Sequence, residues 1–84
     1  MKSFSVEMTT PHTHELWDAV TYLDVPGLSG RLSVLADHQP LLCGLQEGEL
    51  YVDRVGEARQ TRHIGPGVLT VARNRVKLVV EKAG

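Results

Sequence analysis

The sequence predicts an all-β fold, a small antiparallel β-sandwich of two sheets. Turn signals recur about every 8–12 residues, the spacing of short strands in a sandwich or barrel. Apolar and polar residues alternate in short runs, most clearly at Phe4, Val6 and Met8. No window long enough for a stable helix carries a period of about 3.6 residues.

Each element follows from its residues. Phe4, Val6 and Met8 give a first strand one apolar face. Thr9-Thr10-Pro11-His12-Thr13-His14 is polar, contains a proline and reads as a turn. Leu16 to Val25 is rich in β-branched and aromatic residues, including Trp17, Val20, Thr21 and Tyr22. Its alternation fails around Ala19 and Val20, which predicts a β-bulge. Pro26-Gly27 predicts a tight turn, because proline presets φ and glycine accepts a positive one, and Gly30 predicts a second bend. Arg31 to Leu35 alternates again through Leu32 and Val34. A polar loop ends in His38-Gln39-Pro40, with Pro40 just before a strand over Leu41 to Leu45, where a sheet tolerates it. Gln46-Glu47-Gly48 predicts a turn with a positive φ at Gly48. Leu50 to Arg54 and Ala58 to Ile64 flank a hairpin at Val55-Gly56-Glu57. Gly65-Pro66-Gly67 breaks the chain once more. Val68 to Val71 and Arg75 to Glu81 form a last hairpin around Ala72-Arg73-Asn74.

Composition narrows the class. The chain has 84 residues and a formal net charge of −1, so residues 1–84 make one small domain. Hydrophobic residues amount to 42%, enough for one modest core. The near-neutral charge offers no general attraction to nucleic acid or anionic lipid. One cysteine excludes an internal disulfide and a multi-cysteine zinc site, and fits a reducing compartment. No apolar run reaches the roughly 20 residues of a membrane-spanning helix, and Met1 to Met8 lacks the apolar core of a secretory signal. Membrane association would therefore come through a partner and not by direct insertion.

Several residues invite chemistry. His12 and His14 could share a metal if the segment is extended, as in the opening pair of a cupin motif, but the glycines and glutamate of that motif are absent. A solvated polar turn is the better reading. His38 and Cys43 could suggest a nucleophilic pair, yet Leu41-Leu42-Cys43-Gly44-Leu45 is an apolar setting for an inert buried thiol, and no third residue orients the imidazole. His63 reads as an exposed strand histidine. Trp17, the single tryptophan, reads as a core anchor. Arg54, Arg59, Arg62, Arg73, Arg75 and Lys77 are interrupted by Asp53, Glu57 and Glu81, which favours a solvated strand face over a nucleic-acid surface. Gly65-Pro66-Gly67 is not a phosphate loop. No catalytic, metal-binding or cofactor-binding residue emerges.

The stretch Val25 to Leu50 carries a longer pattern. Gly27, Gly30, Leu32, Val34, Leu35, His38, Pro40, Leu41, Leu42, Leu45, Gly48 and Leu50 stand at the spacing G-x-x-G-x-L-x-V-L-x-x-H-x-P-L-L-x-x-L-x-x-G-x-L. This resembles the signature of the epsilon subunit of F-type ATP synthases, specifically its N-terminal domain. Ile64 to Val71 and Asn74 to Val80 resemble the family's later strands more weakly. The resemblance implies a sandwich of about ten strands and a non-catalytic rotor subunit. Such a subunit links the gamma subunit to the membrane c-ring and couples ATP synthesis or hydrolysis to ion translocation. It implies a peripheral place on the cytoplasmic face of the bacterial inner membrane. It also implies that Leu28, Ser29, Gly30, Arg31, Asp37, His38 and Gln39 face the c-ring, and that Pro26, Gly27, Pro40, Gly48, Gly65 and Gly67 are structural turn residues. The family's inhibitory C-terminal helical hairpin, and the ATP motif it completes, would follow these 84 residues. Neither ATP binding nor inhibition of hydrolysis is therefore expected of them.

The sequence departs from that family at four places. Arg31 stands where Glu is usual, Ser33 where Gly is, Ala36-Asp37 where Pro-Gly is, and Pro66 where a Gly is. These departures point to a divergent branch, such as the alternate sodium-type ATPases. Arg31 in particular implies a c-ring loop that lacks the usual basic residue or carries an acid. The competing class is a free-standing β-sandwich binding module or a small metal-dependent, cupin-like protein.

Overall fold

The first alternating run becomes β1 (Phe4–Thr9), whose Phe4, Val6 and Met8 are buried while the residues between them are half-exposed. The computed structural model describes residues 2–84, which hold eight strands and no helix. The others are β2 (His14–Gly27), β3 (Gly30–Val34), β4 (Leu41–Leu45), β5 (Gly48–Arg54), β6 (Gln60–Ile64), β7 (Gly67–Ala72) and β8 (Arg75–Val80).

The long β2 decides the topology. Its buried residues run Trp17, Val20, Leu23, Val25 and then Pro26 and Gly27. The two steps of three are facing resets, and each coincides with a register shift. One lies opposite Phe4 to Val6 of β1, and the other lies between Val20 and Tyr22 against β5. Ala19, at the first, has φ 57°. The bulge predicted there is present, and it lets one strand turn the corner of the sandwich. The N-terminal half of β2 pairs with β1, and the C-terminal half pairs with β3 and β5. The layers β1-β8-β7-β4 and β3-β2-β5-β6 thus join through β2 into one hydrogen-bonded sheet.

The described residues hold eight strands where about ten were expected, and β2 serves both layers without a break. One pairing also departs from a purely antiparallel scheme. β1 and β8 run parallel, since β1 begins beside the turn that opens β8, where the Ser5 N–H donates to the Asn74 carbonyl at 3.1 Å. That turn is Arg73-Asn74, with φ of 50° and 60°, the left-handed pair that suits a two-residue hairpin.

Apolar side chains from both layers meet in one core that includes Trp17, Leu23, Leu50, Ile64, Leu69 and Leu78. Among the described residues no polar or charged residue is buried. Trp17 is a core residue, as its sequence context predicted. Its indole N–H donates to Gln60 Oε1 at 2.6 Å, which satisfies the one polar atom it takes inside.

Three turn expectations are corrected, one being Gly67, which is the first residue of β7 and not part of the turn before it. Pro26-Gly27 is not a turn but the end of β2, where Gly27 pairs with Gly30 and the reversal falls on Leu28-Ser29. Gly30, not Gly27, takes the positive φ, 126°. Gly48 opens β5 without a positive φ; a side chain there would press on the Pro26 ring, 3.0 Å from its Cβ. The hairpin at Val55-Gly56-Glu57 lies where it was read, and Gly65-Pro66 connects β6 to β7.

Candidate partner-binding surface

The residues assigned to the c-ring side fall into two groups. Leu28 and Ser29 form the tip of the β2–β3 hairpin, with Gly30 and Arg31 opening β3. Asp37, His38 and Gln39 lie in the loop that leaves the far end of β3 and reaches Pro40, just before β4. Leu32 to Val34 of β3, then Leu35 and Ala36, separate the groups, and the strand part alone spans roughly 10 Å at the usual rise. They do not form one cluster. They flank the outer edge of β3, which among the described residues pairs only with β2. A partner that meets both groups must run along that edge.

Arg31 is not a free charge on this rim. Its guanidinium donates to Asp24 Oδ1 through Nε at 2.7 Å and lies within 2.6 Å of it through Nη2. It also sits 5.2 Å from the centroid of the Tyr51 ring. Asp24 in turn accepts from the Tyr22 hydroxyl at 2.7 Å. Arg59 repeats the arrangement one strand over. It binds Asp53 through two bonds of 2.8 Å and stacks between Tyr22 and Tyr51, which holds the Asp53 carboxyl below its ordinary pKa. Arg62 pairs with Glu15 at 2.7 Å beside the Trp17 ring. Arg31, Arg59 and Arg62 are thus held against acids and aromatic faces; of the basic set expected to form a solvated strand face, Arg59 and Arg62 are the two so ordered.

An apolar band crosses the other layer. Leu28 lies over Gly44, with its Cδ1 2.5 Å from where a Cβ would stand, and Gly44 pairs with Val68. Val68 pairs with Val79, and Val79 with Thr9. Leu28, Val68 and Val79 are exposed, as is Leu42 two residues before Gly44 (72%). Alternation explains the row: in β7 and β8 the inward positions hold Leu69, Val71, Leu78 and Val80, so Val68 and Val79 must face out. A groove of about 580 Å³ lies along its far end, between Thr9–Pro11, Pro66–Val68 and Val79–Glu81. A smaller one of about 410 Å³ lies at Gly27–Leu32 and Leu42–Gly44.

The residues considered for chemistry do not converge. His12 sits in an exposed bend, while His14 lies on β2 with Nε2 2.6 Å from Glu7 Oε2. His38 Nδ1 lies 2.8 Å from the Gln39 carbonyl, and no bond joins it to Cys43. Cys43 is half-buried against the core rather than fully enclosed, and its thiol donates to the Gly44 carbonyl at 3.2 Å. Among the described residues, no three His, Cys, Asp or Glu side chains are grouped to hold a metal ion.

Sequence reasoning missed two features. His63 is exposed, as read, but stands between Glu47 Oε2 at 2.8 Å and Glu49 Oε1 at 3.0 Å, and these carboxylates, Glu47 first, raise its pKa. Asn74 bonds to Asp37 across the molecule. The cross-strand pairing of Glu49 with His63 could have been read from a correct register; the Asn74 contact carries no local signal.

A closed sandwich with compensated charges, an uncovered apolar band and two presented turns defines a class: a small all-β domain whose open surface is suited to a protein partner. The chain belongs to the family of the ATP synthase Delta/Epsilon chain, beta-sandwich domain, whose model matches residues 3–84. It is 33% identical over 82 residues to the ATP synthase epsilon chain of Nitratidesulfovibrio vulgaris strain DP4, covering 98% of this chain and 60% of that one. The epsilon chain of Chelativorans sp. strain BNC1 is 28% identical, with 61% of its length covered. That of Wolbachia pipientis wMel is 32% identical, with 72% covered. The chain thus spans about 60% of the length of the first two relatives.

Among solved structures, a chain of the Euglena gracilis mitochondrial ATP synthase (OSCP/F1/c-ring) superposes with a TM-score of 0.90 at 20% identity, over 98% of this chain and 52% of that one. A chain from the central stalk/c-ring of the Tetrahymena thermophila enzyme gives 0.83 at 16%, over 99% and 66%. At these identities the likeness is one of fold.

Proposed function

We propose that residues 1–84 act as one domain, the sandwich of a non-catalytic central-stalk subunit. It joins a gamma-type subunit to the c-ring of a rotary ATP synthase and couples ATP synthesis or hydrolysis to ion translocation. The observation that carries this reading is the apolar band Leu28–Gly44–Val68–Val79, an uncovered row of aliphatic side chains on one layer. Its exposed aliphatic side chains suit the apolar centre of a protein interface. Family membership supplies the partner class: the band is assigned to the gamma-type subunit, and the β3 edge with its two flanking turns to the c-ring. In this reading the domain sits peripherally on the cytoplasmic face of a bacterial membrane. No helix of the described residues is long and apolar enough to cross one.

Affinity-tagged chain is co-expressed with the gamma-type and c subunits of the same organism and purified in mild detergent. Stoichiometric recovery of both partners is expected. Recovery of the chain alone, when the other two subunits still assemble, overturns the reading.

A further inference from the structure

The loop between β3 and β4 is held by a residue distant in sequence. Asp37 has φ 63°, the left-handed region, in a loop with few other anchors. Its N–H donates to Asn74 Oδ1 at 2.6 Å, and Asn74 Nδ2 donates back to Asp37 Oδ1 at 3.0 Å. Asn74 is itself fixed: it is the second residue of the β7–β8 turn, at φ 60°, and its carbonyl accepts from the Ser5 N–H. Lys2 closes the other side, with Nζ 2.6 Å from Asp37 Oδ2. Within the loop, the His38 N–H donates to the Leu35 carbonyl at 3.2 Å and the His38 ring lies 2.8 Å from the Gln39 carbonyl.

We propose that Asn74 is a positioning residue, whose two-way bond with Asp37 fixes the loop Ala36–Gln39 in the shape it presents to the c-ring. The inference rests on the docking reading above and adds to it a link between that loop and a turn 37 residues away. The chemistry suits the task. An amide can accept from the Asp37 backbone and donate to its carboxylate at once, which neither an aspartate nor an aliphatic side chain at position 74 can do. Both residue types tolerate the left-handed backbone that the two positions require. The bond to Lys2, and then that to Asn74, also hold the Asp37 carboxyl below its ordinary pKa.

The test uses Asn74→Gly, which keeps the left-handed turn and removes only the side chain. Backbone 15N order parameters of the free chain report the loop, and binding to the detergent-solubilised c-ring with its gamma-type subunit reports docking. Asn74→Gly is expected to lower the order parameters of Asp37 and His38 from about 0.85 to below about 0.6, to weaken binding at least about fivefold, and to leave the β7 and β8 amide signals in place. The reciprocal exchange Asp37→Asn with Asn74→Asp keeps the backbone bond and remakes the side-chain bond in reverse, the amide at 37 donating to the carboxylate at 74, and is expected to restore loop order and affinity. Unchanged order parameters in Asn74→Gly overturn the proposal. So does unchanged binding by Asn74→Gly when His38→Ala with Gln39→Ala binds weakly. If that loop variant also binds as wild type, the docking reading fails for this loop. The role for Asn74 then falls with it, even where the order parameters drop.

Discussion

His63 shows how an exposed strand residue takes its chemistry from its neighbours. Glu47 and Glu49 flank the ring, and Lys82 approaches Glu47 at 3.8 Å. The imidazole pKa lies above its ordinary value near 6.5, and the Glu47 carboxyl lies below its ordinary 4.5. The signs follow from linkage. The histidine's contribution to stability is complete below about pH 6.5 and is lost as pH rises through its raised value. The glutamate's is complete above about pH 4.5 and is lost as pH falls through its depressed value. Both are present together between about pH 4.5 and 6.5. The difference in melting temperature between the wild type and His63→Gln is therefore largest in that window and disappears by about pH 9. A difference that persists unchanged at alkaline pH would show that His63 acts through packing instead. Exposure keeps the effect small, and added salt reduces it further.

Strands and turns divide by how local their causes are. β1, β7 and β8 were legible because every second side chain is apolar and the strands are regular. β2 was legible only as a strand with a fault, since its facing resets are set by partners on both sides. The fault can be tested. At a regular strand position Ala→Gly costs about 0.5–1 kcal/mol. At Ala19, with φ 57°, relief of the left-handed strain offsets that cost. Ala19→Gly is therefore expected to leave stability unchanged or raise it by up to about 1 kcal/mol in urea unfolding. A loss of 1 kcal/mol would deny the bulge.

Pro26-Gly27 was misread because turn propensity is local, whereas the reversal is set by the pairing of Gly27 with Gly30. Gly67 has a steric cause that sequence cannot show. A Cβ there would stand 2.0 Å from the Val79 carbonyl oxygen and 2.7 Å from the Val80 Cα. Gly67→Ala must part β7 from β8, and a loss at or above the upper end of the usual 1–3 kcal/mol for overpacking is expected in the same assay. The candidate site was half legible. Its turn residues stood in the signature, but the engagement of Arg31 with Asp24 and Tyr51, and the Asn74 clamp, arise only when distant strands meet. The Arg31–Asp24 pair changes what an Arg31→Glu exchange reports. A glutamate there would face Asp24 within the domain, so loss of c-ring binding by that variant would mix altered docking with a disturbed β3.

For the molecule as a whole, one layer carries locked ion pairs and stacked rings, while the other carries the bare apolar band. That asymmetry is the basis for assigning the gamma-type subunit to the band. Val79 is its most direct probe, because it is exposed (53%) and its inward neighbours Leu78 and Val80 hold the strand. Affinity for the gamma-type subunit of the same organism is measured by titration calorimetry for the wild type, Val79→Thr and Val79→Asp. Circular dichroism and the melting temperature establish that each variant is folded. Burial against a partner predicts a loss of at least tenfold for Val79→Asp, about 1.4 kcal/mol, and a smaller loss for Val79→Thr. Equal affinity for all three folded chains would contradict the assignment of the band to that partner.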